Sequence, residues 1–173
     1  MDPNTFTEAT NTVIAAAQEL AREHSNSQLD VLHLAHALFA DTNGLAHRVA
    51  EKVSPHSANS IKNAVERQLA RLPKQDPPPE DIGPSHSLVK LLRDADKQRK
   101  KVGDSYLAVD SILRELIKNR TFVQVLREVE GIDGDSFIKA LDEVKGSNPV
   151  RSRNAEDTFD ALNKVRDTAV MEE

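Results

Sequence analysis

The sequence predicts an all-α fold: two tandem, pseudo-twofold-related four-helix repeats, eight helices in all, followed by a C-terminal extension. Three observations lead there: apolar residues at helical spacing, an internal repeat offset by 78 residues (Leu29 onto Leu107), and a core palette poor in aromatics. Of the 173 residues 38% are apolar but only 3% aromatic, with no Trp and one Tyr, so the core must be Leu, Val, Ile and Ala. Such side chains suit helix-on-helix packing, and the scarcity of aromatics weighs against a β fold.

Residues Thr7 to His24 carry Val13, Ile14, Ala17, Leu20, Ala21 and His24 on one helical face, with Thr7 placed to cap the start. Ser25-Asn26-Ser27, three turn formers, end that pattern. Asp30 then caps a second helix through Ala40, with Val31, Leu34, Ala35, Leu38 and Phe39 on one side and Thr42-Asn43-Gly44 as its stop. A short third helix spans Leu45 to Val53 and closes at Ser54-Pro55. The fourth, on Ile61, Ala64, Val65 and Leu69, is expected from Ser57 to Leu72, where Pro73 terminates it. Pro77-Pro78-Pro79 has no amide hydrogen to give, so residues 74–84 read as an extended linker. Pro84-Ser85 offers a fresh cap, followed by Leu88, Val89, Leu91, Leu92 and Ala95 at helical spacing.

The second half repeats the first. At the same offset Val13 meets Leu91, Ile14 meets Leu92, Ala17 meets Ala95, Val31 meets Val109, Leu34 meets Ile112 and Leu38 meets Leu116. With one or two residues deleted, Leu45 falls on Phe122 and Ile61 on Phe137. A single pair of amphipathic helices proves little, but four in one order with similar turns between them make a repeat. The expected organisation is therefore a domain over 1–146, with repeat one at 5–73, the proline-rich linker at 74–84 and repeat two at 85–146. A unit of about 70 residues sits near the lower size limit for an independent core, so the two should bury a face against each other. Their seam should leave a groove, a usual place to bind peptides. Gly146 to Arg153 reads as a flexible linker, extending over 147–157. Thr158 to Val165 reads as a new helix without partners in the repeats, so that 158–173 would lead into a further module.

Composition narrows the chemistry. A net charge of −5 argues against nucleic acid, and the basic run Lys97-Gln98-Arg99-Lys100-Lys101 complements a helix C-terminus. Cysteine is absent, removing thiolate catalysis and disulfides. The N-terminus has neither signal nor transit character, and no apolar run nears the roughly 20 residues a bilayer requires. A soluble cytoplasmic or nuclear protein is expected, with no membrane partner. No Gly-x-x-x-x-Gly-Lys-Ser/Thr loop is present to cradle phosphates, and no Gly-x-Ser-x-Gly elbow, so the chain reads as non-enzymatic, with no cofactor. His33 and His36 lie three apart on a helix, but neither a His-Glu-x-x-His pattern nor a third ligand accompanies them, and no metal is expected.

Several stretches carry a family resemblance. Phe6-Thr7-Glu8 with Ala15-Ala16-Ala17-Gln18-Glu19-Leu20-Ala21, then Leu32-His33-Leu34-Ala35-His36-Ala37-Leu38, then Leu72-Pro73 and the proline-rich linker come first. Pro84-Ser85, Gly103-Asp104-Ser105-Tyr106-Leu107-Ala108-Val109-Asp110 and Ala155-Glu156-Asp157 with Phe159-Asp160-Ala161-Leu162 follow. In this order they resemble the N-terminal domain of Clp-family heat-shock disaggregases, the ClpB type, with the linker and the Gly-Asp stretch closer to eukaryotic cytosolic members. The sequence from Lys164 to Val170 departs from the family's continuation.

The resemblance implies a domain that weakly captures exposed apolar segments of misfolded proteins for a downstream pore, where ATP and magnesium would act. It implies, as partners, unfolded or aggregated polypeptides, the parent's own ATPase modules in a hexamer, and co-chaperones; the isolated domain is expected to be a monomer. It assigns substrate handling to Thr7, Asp104 and Asp110, and a groove to Leu88, Leu91, Leu92 and Ala95 with Leu107 beside them. Asp94, Gln98 and Ser111 stand where bacterial relatives carry leucine, implying a shallower, more polar groove. Two other readings share the double repeat: an adaptor- or degron-binding domain of a protease-coupled unfoldase, and a regulatory domain that restrains its own ATPase ring.

Overall fold

Several helix starts in this protein are set by side chains that satisfy otherwise orphaned amides. In the computed structural model, which describes residues 2–146, 149–157 and 159, Thr7 Oγ1 accepts from Thr10 N at 3.2 Å to open α1 (Glu8–Glu23). Asp30 opens α2 (Val31–Ala40), its Oδ2 accepting from Leu32 N at 3.3 Å. Then come α3 (Leu45–Val53) and α4 (Ser57–Leu69). α4 stops short of Leu72 because the chain tightens into Arg71 N to Gln68 O and Leu72 N to Leu69 O turns, as the residue before Pro73 is driven out of the helical region. Ser85 Oγ accepts from Leu88 N at 3.1 Å to open α5 (His86–Val102), which ends on Gly103 at φ +81°, a left-handed cap that glycine adopts without strain. α6 (Val109–Lys118), α7 (Arg120–Arg127) and α8 (Gly134–Lys145) complete the eight α-helices found among the described residues.

The helices fall into two sets of four. A shift of 78 residues carries Val31–Ala40 onto Val109–Lys118 and Glu8–Glu23 onto the body of α5. Two-residue strands β1 (Gln28–Leu29) and β2 (Gly83–Pro84) pair in parallel, Leu29 opposite Pro84, and an isolated bridge joins Phe6 to Leu107. The same shift takes Phe6 to Pro84 and Leu29 to Leu107, so these are one contact made twice. Thr7 N donates to Leu107 O at 3.0 Å, and its counterpart Ser85 N donates to Leu29 O at 2.8 Å. Each repeat is thereby clipped at its entrance to the turn before the other repeat's second helix. Farther along, α3 packs on α8 and α4 on α7, again in repeat-related pairs. One core spans both halves: Phe39 of α2 stacks on Phe122 of α7 with centroids 5.8 Å apart and tilts against Phe137 of α8 at 6.1 Å.

His33 is a structural histidine. Its Nδ1 accepts from Asp30 N at 2.9 Å, which places the proton on Nε2, 2.8 Å from Asn26 Oδ1. Asn26 Nδ2 in turn holds Pro73 O at 3.1 Å, where the linker begins. Burial pushes the His33 pKa below 6.5, against the opposing pull of Asp30. A protonated ring would turn Nδ1 from acceptor to donor against an amide. Stability should therefore fall as pH drops from 6.5 through the lowered folded value. Thermal melts of wild type and His33→Gln at stepped pH should show this slope in the wild type only.

The C-terminal segment departs from expectation. The sequence reads as a flexible linker from Gly146, yet Val150, Ala155 and Glu156 are buried and Phe159 lies in the common core. Backbone amides explain the docking: Glu8 N donates to Arg153 O at 2.6 Å and Ser105 N to Val150 O at 2.7 Å, so the segment touches both repeats. Phe159 thus has core partners that periodicity alone does not supply. The rest of the helix expected from Thr158, and the module boundary placed there, lie outside the described residues.

Candidate functional site

The seam leaves a groove of about 370 Å³ between α1 and α5. Ile14 and Ala17 of α1 face Leu88, Val89 and Leu92 of α5, while Phe6, Leu29, Leu34, Ile82 and Pro84 close the ends and floor. Ile14 and Leu92 are repeat counterparts, so the groove straddles the pseudo-twofold relation itself. Only Gln18, Arg93 and Asp96 bring polar side chains to its lining. Asp94, Gln98 and Ser111 do not line it, so they do not make it polar. Asp94 instead pairs with Lys90 at 2.9 Å, and Ser111 is buried in α6.

The residues singled out from sequence divide between this groove and two buried polar clusters. Leu88 and Leu92 line the groove. Leu91 and Ala95 are buried without lining it, and Leu107 is fully enclosed in the bridge to Phe6. Thr7, Asp104 and Asp110 do not reach the groove; each is buried and engaged within the protein.

Asp104 and Asp110 meet at Lys145, which sequence reasoning did not single out. Lys145 Nζ lies 2.8 Å from Asp110 Oδ2 and 3.3 Å from Asp104 Oδ2, while Asp104 Oδ1 accepts from Val150 N at 3.0 Å. Asp110 Oδ1 is buried with no hydrogen-bond partner. Burial alone would lower the Lys145 pKa, but Asp110 and then Asp104 outweigh it and raise the value above 10.5.

Thr7 meets Glu156, another residue without a role in the sequence reading. The Thr7 hydroxyl donates to Glu156 Oε2 at 2.7 Å and Val109 N donates to the same oxygen at 2.9 Å. Arg48 Nη2 donates to the Glu156 carbonyl at 3.3 Å. Burial raises the Glu156 pKa above 4.5, against the hydrogen bonds from Thr7 and Val109. One signal in the sequence could have flagged it: Asp30 caps α2, but its counterpart at α6 is Ala108, which has no side chain able to cap.

Among the described residues no group of three His, Cys, Asp or Glu is placed to hold a metal ion. His36 Nε2 lies 3.0 Å from Glu66 Oε1, and His33 is taken up by Asn26 and Asp30.

An apolar groove on the seam of a doubled four-helix unit defines a helical domain of the double-repeat kind. The Clp repeat (R) N-terminal domain model matches residues 5–129, and the chain belongs to that family. Heat shock protein 104 of Schizosaccharomyces pombe is 36% identical over 163 residues, covering 92% of this chain and 18% of that protein. Chaperone protein ClpB of Clostridium perfringens is 32% identical over 154 residues, covering 86% of this chain and 18% of its own length. The crystal structure of the Hsp104 N-terminal domain from Candida albicans superposes with a TM-score of 0.79 at 31% identity, covering 87% of this chain and 98% of that one. This chain thus spans about a fifth of the length of the curated relatives it matches and corresponds to their N-terminal domain, not to an ATPase module.

Proposed function

We propose that this chain is the substrate-recognition domain of an ATP-driven protein disaggregase. It takes exposed apolar segments of misfolded or aggregated polypeptides into the seam groove and passes them to ATPase modules of a longer parent. The observation that carries this reading is the groove itself, about 370 Å³ with a mostly apolar lining that includes Phe6, Ile14, Leu29, Leu34, Leu88 and Leu92. With three polar side chains in the lining, little is available to read sequence, and apolar contact supplies the attraction. Weak binding with fast release suits such a role, because a segment held tightly at the mouth could not be threaded onward. Thr7 serves it through the backbone beside Phe6, its amide donating to Leu107 O at 3.0 Å, while Asp104 and Asp110 hold Lys145 away from the lining.

Leu92→Asp places a carboxylate on the groove wall and should weaken binding of a fluorescently labelled, permanently unfolded casein about tenfold. Val102→Asp, at a residue 54% exposed and outside the groove, should leave binding unchanged. Anisotropy titration of the two variants checks this. Equal affinity for Leu92→Asp and wild type would remove the groove from the function.

A further inference from the structure

The C-terminal segment holds an ionisable group in an unusual place. Glu156 is 4% exposed, its Oε1 has no hydrogen-bond partner, and its Oε2 receives both the Thr7 hydroxyl and the Val109 amide. Val109 is the first residue of α6, a helix whose own cap position, Ala108, makes no side-chain bond. In the first repeat the matching position is Asp30, which caps α2 directly. Helix α6 therefore lacks an anionic cap of its own and receives one from 47 residues downstream.

The carboxylate also reaches the groove by a short route. Phe6 and Thr7 are both extended, so their side chains point to opposite sides. Phe6 lines the groove while Thr7 grips Glu156. The backbone on either side is tied as well, Thr7 N to Leu107 O and Glu8 N to Arg153 O.

We propose that Glu156 is a helix cap supplied to α6 by the C-terminal segment of the same chain, and that the same carboxylate, through Thr7, positions the Phe6 wall of the seam groove. This gives Thr7 a positioning role on a buried contact and makes the segment around Glu156 part of the domain. It does not depend on what the groove binds.

Amide exchange and aromatic NMR on the intact chain test both halves. Glu156→Ala should speed exchange of the α6 first-turn amides, Val109 to Ser111, about five- to tenfold, and should shift the Phe6 ring resonances. Adding Ala108→Asp to that variant restores a local cap, so the first-turn amides should slow again while the Phe6 shift persists. Unchanged first-turn exchange in Glu156→Ala would overturn the cap. An unmoved Phe6, or a Phe6 shift reversed by Ala108→Asp, would overturn the positioning role. Should Glu156→Ala not fold, Glu156→Gln keeps an acceptor at the same reach and carries both readouts, with an expected rise of about threefold.

Discussion

Phe122→Ala is expected to cost about 3–5 kcal/mol, a large part of the 5–15 kcal/mol that holds a typical domain together. Phe122 is fully buried and stacks on Phe39 at an interplanar angle of 13°, so the lost ring opens a cavity where α2 of one repeat meets α7 of the other. Because that cavity belongs to both repeats, they should fail together. Urea unfolding followed by circular dichroism should show one transition moved to lower denaturant. Phe122→Leu, which refills most of the volume, should cost much less. Two separate transitions, with the second repeat alone weakened, would mean that the halves do not share a core.

Lys145→Met is the second large effect, about 3–5 kcal/mol, since it leaves two buried carboxylates without their counter-charge. The Asp104 and Asp110 side chains are 4% and 1% exposed, so water cannot replace the ammonium. Adding Asp110→Asn to Lys145→Met removes one stranded charge and should recover part of the loss, which a merely steric role for Lys145 would not produce. In the wild type the Lys145 pKa is raised, so its contribution is complete below 10.5 and is lost as pH climbs through the folded value. Chemical unfolding of the single and double variants at neutral pH, with wild type at stepped alkaline pH, measures both.

Much of this fold is readable from the sequence because local signals agree with the tertiary arrangement. Thr7, Asp30 and Ser85 are cap residues by type and caps in the structure, and α2 and α3 begin and end where turn chemistry places them. The offset that aligns Leu29 with Leu107 also relates the bridges the structure shows, Leu29 to Pro84 and Leu107 to Phe6. What stays hidden is long-range and polar. Nothing local in Lys145 shows that it will close on two aspartates some forty residues away. Nor does Glu156, in a segment rich in charge and turn formers, reveal that it will cap a distant helix. For the groove, periodicity marks Leu88, Leu91 and Leu92 as apolar but cannot say which side of α5 faces the seam. The structure turns Leu88 and Leu92 into it and leaves Leu91 out of the lining. Thr7, Asp104 and Asp110 look available in a linear sequence, and packing makes them internal.

The seam groove as the place where unfolded chains dock is most directly tested by methyl NMR on the intact chain during titration with unfolded casein. Shifts that grow together at Ile14, Ala17, Leu29, Leu88 and Leu92, with fast exchange throughout, are the expected result. Shifts centred outside the groove around α3 and α8, or none at millimolar peptide, would contradict it.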